Sequence, residues 1–240
     1  MAWLFGKGRN GGRGGKPPEG PPPPEPPSGD DHPFSGDVGD VAALGPEGAL
    51  ELLKAGNRAF LSGEGVLAHV TAGDLAALRE AQHPFAAVIA CADSRTPPTI
   101  LFNQGLGRLF IVRVAGNTID RRGLASIVYA VKHLKCPLVL VLGHTGCGAV
   151  AAAEAVVDGK MELDPSLEEM VTPIIPAVLH VRARGGHADA AVAAVEENAR
   201  RVAERLRTAE TALADAMTAG KLKIVAAVKH IDTGEVKFLD

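Results

Sequence analysis

Three short, nearly continuous apolar runs occupy the middle of the chain: Phe85-Ala86-Ala87-Val88-Ile89-Ala90, Leu109-Phe110-Ile111-Val112-Arg113-Val114 and Leu138-Val139-Leu140-Val141-Leu142. Runs this short, apolar throughout and separated by helical stretches, read as parallel strands buried on both faces. Between the second and third, Leu124, Ile127, Val128, Val131 and Leu134 keep helical spacing, and Gly148 to Val157 reads as a small-residue helix following the third strand. Val192, Val195, Ala199, Val202 and Leu206 recur at three and four, which predicts one long amphipathic helix. Upstream, Leu50, Leu53, Phe60 and Leu61 share a helical face, with Pro46 suited to the first turn. A second short helix is expected through Asp74 to Gln82. Leu222 to Val228 and Glu235 to Leu239, separated by Asp232-Thr233-Gly234, predict a closing strand or hairpin. The expected fold class is α/β: a mostly parallel central sheet flanked by helices, with an N-terminal helical arm, C-terminal helices and the closing strand or hairpin.

Residues 1–40 break this pattern. Glycine, proline and charge dominate, with Gly11-Gly12-Arg13-Gly14-Gly15 and a proline run from Pro21 to Pro27 interrupted by Glu25. Such a segment cannot bury enough apolar surface to offset its ordering entropy, so a disordered tail is expected over 1–40 and a single domain over 41–240. Trp3, Leu4 and Phe5 followed by Lys7, Arg9 and Arg13 suggest a small membrane or partner anchor, but three apolar residues are a weak signal, and an untethered tail is the favoured expectation.

The chain has 240 residues, 46% of them hydrophobic, and a formal net charge of -3. That balance leaves no electrostatic footprint for nucleic acid, and no stretch approaches the roughly 20 apolar residues of a transmembrane segment. Three cysteines cannot all pair within one chain, and none lies in a Cys-x-x-Cys arrangement. Cys136, beside an apolar strand, reads as a structural thiol. Thiolate ligands suit a reducing compartment and the N-terminus lacks the apolar core of a secretory signal, so a cytoplasmic location is expected.

Ligands of open parallel sheets bind beyond the carboxyl ends of the strands, which is where Cys91 and His144 fall. With Cys147 they form a two-sulfur, one-nitrogen set for Zn2+ that leaves a fourth position open, as in catalytic zinc sites. Zinc so held lowers the pKa of bound water enough to supply hydroxide near neutral pH. Asp93 is two residues from Cys91, and Arg95 can clamp its carboxylate with a bidentate hydrogen bond. Two states follow: Asp93 held by Arg95 and accepting from the hydroxide, or Asp93 released and itself ligating zinc in a closed state. Gly143, Gly146 and Gly148 lack the lysine and hydroxyl of a phosphate-binding loop. His69, His83, His133, His180, His187 and His230 are proton shuttles by chemistry alone, though surface or packed histidines of that kind are commonplace.

Cys91-Ala92-Asp93-Ser94-Arg95 and His144-Thr145-Gly146-Cys147 resemble the Cys-x-Asp-Ser-Arg and His-x-x-Cys signatures of the β-class carbonic anhydrases. The resemblance continues through Phe102-Asn103-Gln104-Gly105, Arg113-Val114-Ala115-Gly116-Asn117 and Thr233-Gly234-Glu235-Val236, from about Pro46 to Leu239. It implies zinc-dependent, reversible hydration of carbon dioxide to bicarbonate and a proton, with Cys91, His144 and Cys147 on zinc, Asp93 and Arg95 as catalytic dyad, and Gln104 donating to bicarbonate. It also implies a homodimer or higher homo-oligomer, with the helices around Leu53 to Leu61 and Val192 to Leu206 as interface elements if they do not pack on their own sheet. Val128 and Lys229-His230 depart from the family's glutamate and Tyr-Asp. With Trp3 and Tyr129 as the only tryptophan and tyrosine, the second bicarbonate pocket of some bacterial members is not expected. Two other readings keep the same residues: hydrolysis of carbon disulfide or carbonyl sulfide, and a noncatalytic bicarbonate or carbon dioxide sensor with Asp93 permanently on zinc.

Overall fold

The computed structural model describes residues 41–64, 70 and 72–239; the tail expected over 1–40, its Trp3 to Phe5 cluster and His69 lie outside the described residues. In chain order the elements are α1 (Val41–Ser62), α2 (Ala72–Ala77), β1 (Ala86–Ala90), α3 (Pro98–Leu101), β2 (Leu109–Arg113), α4 (Arg121–Lys132), β3 (Leu138–His144), α5 (Gly148–Val157), α6 (Pro165–Val171), α7 (Ile175–Arg184), α8 (Ala190–Ala209), α9 (Thr211–Thr218), β4 (Lys223–Lys229) and β5 (Val236–Phe238). One sheet runs β2-β1-β3-β4-β5, parallel from β2 to β4, with β5 returning antiparallel on β4. The expected hairpin is therefore present, and its first strand is also the fourth parallel strand.

Every residue of β1 and β3 is buried, whereas β2 at the edge is half-buried, so the unbroken apolar runs of the inner strands answer to cover on both faces. Alternation assigns the two sides. Ala87, Ile89, Cys91, Val139, Val141, Ile224, Ala226 and Val228 face a core completed by Ile127, Val150, Val178, Val195, Val202, Leu206 and Leu213 of α4, α5, α7, α8 and α9. Ala86, Val88, Ala90, Leu138, Leu140, Leu142 and Val225 face a smaller core closed by Leu50 and Leu53 of α1 with Leu101 and Phe102.

Helix starts follow local chemistry. Asp120 caps α4 by accepting from the Gly123 N–H at 2.7 Å, Asp164 caps α6 by accepting from the Ser166 N–H at 2.8 Å, and Asp189 caps α8 by accepting from the Val192 N–H at 3.0 Å. Within α1, Gly45 leaves the helical region at φ 65°, so the regular helix begins at Pro46, as its sequence suggests.

Three expectations change. The short helix stops at Ala77 rather than Gln82, closing in a tight turn in which the Arg79 N–H donates to Ala76 O. On α1, Leu61 is exposed, and the buried face passes instead through Asn57, whose Nδ2 donates to Leu101 O and Gly234 O and whose Oδ1 accepts from the Val236 N–H. The apolar face of α8 packs on β3, β4 and α7 of its own chain, so its apolar periodicity is accounted for by packing on its own sheet. Among the described residues no helix is long and apolar enough to cross a membrane.

Candidate metal centre

Adjacent parallel strands carry the two motifs to one edge. Cys91 follows β1 directly, His144 is the last residue of β3, and Cys147 stands at the N-cap of α5. Their ligand atoms lie within 4.8 Å of one another, and all three side chains are buried.

Each donor is prepared for a cation. The Cys91 sulfur accepts from the Asp93 N–H at 3.4 Å and the Gly116 N–H at 3.3 Å, while the Cys147 sulfur accepts from the Val150 and Ala149 N–H groups in the first turn of α5. N–H groups and a helix N-terminus both favour thiolate. A hydrogen bond from the Cys147 thiol, with those from the two backbone amides, pulls the Cys91 pKa far down. The Cys147 pKa is pushed up, because its thiol serves as donor to Cys91 and is buried. The His144 Nδ1 lies 3.0 Å from Thr145 O, which fixes the proton there, and Nε2 is a buried nitrogen with no hydrogen-bond partner. Two sulfurs set in N–H donors and an orphaned imidazole nitrogen fit a zinc ion, whose preferred ligands are thiolate and imidazole.

Beside this cluster Arg95 grips Asp93. Its Nε donates to Oδ1 at 3.0 Å, its terminal nitrogen donates to Oδ2 at 2.7 Å, and its backbone N–H adds a bond to Oδ1 at 2.9 Å. The same terminal nitrogen reaches Gly146 O at 3.4 Å, tying the clamp to the second motif. The guanidinium holds the Asp93 carboxyl well below the usual carboxylate range, and Asp93 in turn raises the Arg95 pKa. Asp93 Oδ2 lies 3.9 Å from His144 Nε2, at the margin of the ligand cluster.

Gln104 is buried, its Nε2 donates to Phe102 O at 2.8 Å, and Gly56 of α1 packs against the same loop so closely that a Cβ would fall 1.9 Å from Phe102 O. Of the histidines offered as shuttles, His83, His133 and His187 are exposed, His133 stacks on Tyr129, His180 is 3.9 Å from Glu197, and His230, just after β4, is half-buried. Cys136 is buried and donates to Pro84 O, and burial pushes its pKa up to about 12, in keeping with an inert structural thiol.

Three supporting residues were not assigned roles by the sequence pattern. Arg113, at the end of β2, donates to Cys91 O at 2.9 Å and to Asp93 O. Asn198 of α8 donates to Gly116 O at 2.9 Å, bracing from its carbonyl side the glycine whose N–H meets Cys91. Lys229, buried at the end of β4, donates to Arg95 O at 2.8 Å. Burial lowers the Lys229 pKa, with the charge of Asp93 acting in the opposite direction. The only signal in the sequence is a polar residue interrupting or ending an otherwise apolar pattern.

Comparison with known proteins agrees with this geometry. The family model described as carbonic anhydrase matches residues 86–236, which span both motifs and the four parallel strands β1 to β4. A carbonic anhydrase of Mycolicibacterium smegmatis is 38% identical over 80% of this chain and 92% of its own length. Carbonic anhydrase 2 of Mycobacterium tuberculosis strain H37Rv is 36% identical over 81% and 93%. Among solved structures, the β-carbonic anhydrase CafA of Aspergillus fumigatus superposes with a TM-score of 0.61 at 29% identity, over 69% of this chain and 80% of that one. The Coccomyxa β-carbonic anhydrase, solved with acetazolamide, gives 0.55 at 29% identity over 79% and 85%. A match through more than half the chain, in the same fold and with both signatures brought to one sheet edge, makes this chain a member of the β-class carbonic anhydrase family.

Proposed function

We propose that the chain, through a single zinc domain over residues 41–240, catalyses the reversible hydration of carbon dioxide to bicarbonate and a proton, with zinc held by Cys91, His144 and Cys147. The observation that carries this is the buried three-donor cluster with its orphaned His144 Nε2, set beside an Asp93 already clamped by Arg95. When bound, zinc supplies a Lewis acid that makes water at its fourth position acidic enough to act near neutral pH.

The protein's own residues do the rest. Backbone N–H groups favour the thiolate form that zinc would draw from the two sulfurs, and the Thr145 carbonyl aims the imidazole. Arg95 keeps Asp93 ionised and oriented, so that its carboxylate would be available to accept a hydrogen bond from water activated by zinc. Released from Arg95, Asp93 would be free to serve as a further ligand to zinc and so close the site. The clamp seen here favours catalysis over a sensor in which Asp93 would never leave the metal. Gln104 is assigned to bicarbonate by the family motif, with its loop carbonyl as present partner.

Metal analysis together with stopped-flow hydration assays, before and after treatment with a zinc chelator, tests the reading. About one zinc per chain and activity that falls with chelation and returns with zinc are expected. A zinc-loaded protein no faster than buffer would overturn it, and running carbonyl sulfide and carbon disulfide in parallel identifies the substrate.

A homo-oligomer belongs to the same proposal. Ile100, Leu106 and Tyr129 expose large apolar or aromatic side chains on the segments flanking the edge strand β2. Light scattering coupled to gel filtration should give at least a dimer. Three free thiols favour a cytoplasmic, reducing compartment, to be checked by cell fractionation.

A further inference from the structure

Lys229 connects both halves of the site. Its backbone carbonyl accepts from the Thr145 N–H at 2.9 Å, immediately after His144, with which it is in register across β3 and β4. Its side chain reaches past the end of β3, and its Nζ donates to Arg95 O in the loop after β1 at 2.8 Å. One residue at the end of β4 thus holds the segment carrying His144 and Cys147 and the segment carrying Cys91, Asp93 and Arg95.

The position is an expensive one for a lysine. The residue is 7% exposed and forms no ion pair with a carboxylate among the described residues, so its ammonium exchanges solvation for a carbonyl. The carbonyls it helps to hold follow a pattern: Cys91 O and Asp93 O accept from Arg113 at the end of β2, and Arg95 O accepts from Lys229 at the end of β4. Alternate carbonyls of one loop are gripped by cations from opposite sides of the sheet. Arg113 fixes the part that bears Cys91, leaving Lys229 as the tether for the part that bears Arg95.

Resting on the zinc reading above, we propose that Lys229 is a positioning residue for the dyad: by anchoring the Arg95 backbone to β4 it keeps the guanidinium on Asp93 and so keeps the metal's fourth position open to exchange. Its action passes through Arg95; it is assigned no contact with substrate. Loss of the tether lets Arg95 drift from Asp93, and the freed carboxylate takes the open position more of the time.

The test uses the full chain with cobalt(II) in place of zinc and azide as the probe, comparing wild type with Lys229→Met, Lys229→Gln and Lys229→Arg. Azide perturbs the visible cobalt bands when it reaches an exchangeable position, so its apparent affinity reports how often Asp93 blocks that position, independently of turnover. The apparent azide dissociation constant should rise about 10-fold in Lys229→Met, the scale seen when residues behind a metal ligand are removed, with cobalt content unchanged. Lys229→Arg, which restores a cationic donor, should return to within roughly threefold of wild type. If the methionine variant does not fold, Lys229→Gln carries the same comparison. Equal azide affinity in wild type and variants, or a loss of thermal stability with no change in azide affinity, would overturn the role while leaving hydration by the wild type intact. A wild-type protein with neither hydration activity nor azide-sensitive cobalt bands would overturn both readings together.

Discussion

Asn198, in the middle of the buried face of α8, donates its amide to Gly116 O at 2.9 Å, and the N–H of that glycine meets the Cys91 sulfur at 3.3 Å. A helix far along the chain therefore braces the glycine beside a proposed zinc ligand. Gly116 itself has φ 70°, and a Cβ there would lie 2.6 Å from Ile174 and 3.0 Å from Ala149, so neither its conformation nor its packing accepts a side chain. Replacing Asn198 with leucine strands the Gly116 carbonyl without its buried donor. We predict a loss of about 1–3 kcal/mol in urea denaturation of the metal-free protein, and weaker zinc binding in competition with a chromophoric chelator. Unchanged zinc affinity would confine Asn198 to stability alone.

The bidentate geometry between Arg95 and Asp93 sets a second expectation. Arg95→Ala should lower kcat/KM for carbon dioxide by about 10- to 100-fold with zinc content retained, and Arg95→Lys should recover little of it, because an ammonium cannot match both carboxylate oxygens. Stopped-flow rates on metal-quantified protein decide the matter; a fully active lysine variant would show that charge alone suffices.

The same pair predicts a pH window. Arg95 depresses the folded-state pKa of Asp93 below its unfolded value, so the clamp's contribution to stability is complete above about pH 4 and is lost as pH falls through the folded value. In metal-free protein, the stability difference between wild type and Asp93→Asn should stay level from pH 7 to about pH 5 and shrink only below about pH 4. Denaturation curves at each pH measure it. A difference that already declines between pH 7 and pH 5 would mean that the carboxylate is not held as described.

Gly56 marks where α1 presses on the Gln104 loop. A methyl group there would sit 1.9 Å from Phe102 O, which is backbone and cannot yield as a side-chain tip can. Gly56→Ala should cost at least about 1–3 kcal/mol, the range for overpacking a tight core, despite the helix propensity gained by alanine. Thermal unfolding would register this as a lowered midpoint, and a stabilised variant would refute the contact.

How much of this could be read from the chain alone depended on whether the signal was local. The strands were legible because β1 and β3 are buried on both faces and β4 nearly so, which forces unbroken apolar runs. Cys91, Asp93, Arg95, His144 and Cys147 were legible because each motif is contiguous and ends a strand. The segment over α6 and α7 was not, since Pro165, Pro173 and Pro176 read as breaks although Pro165 and Pro176 sit in the first turns of their helices and Pro173 lies in the 3₁₀ turn Thr172–Ile174 between them. Nor was α9, an alanine-rich stretch with Leu213 as its one fully buried side chain. Asn57, Asn198 and Lys229 escaped for a different reason: each is a polar residue whose partners lie at least 44 positions away, so its role exists only once the sheet has formed.

The strand order carries a last consequence, for assembly rather than catalysis. β1 and β3 are neighbours in the sheet, yet between them in sequence the chain runs out through β2 and returns through α4. His144 and Cys147 belong to one turn, but Cys91 joins them only when this non-local pairing closes, and such contacts form slowly because loop entropy must first be overcome. Capture of all three ligands by a metal should therefore trail the burial of the strands during refolding. Cobalt-thiolate absorbance that appears in two steps, the second coincident with sheet formation, is the kinetic mark of that order.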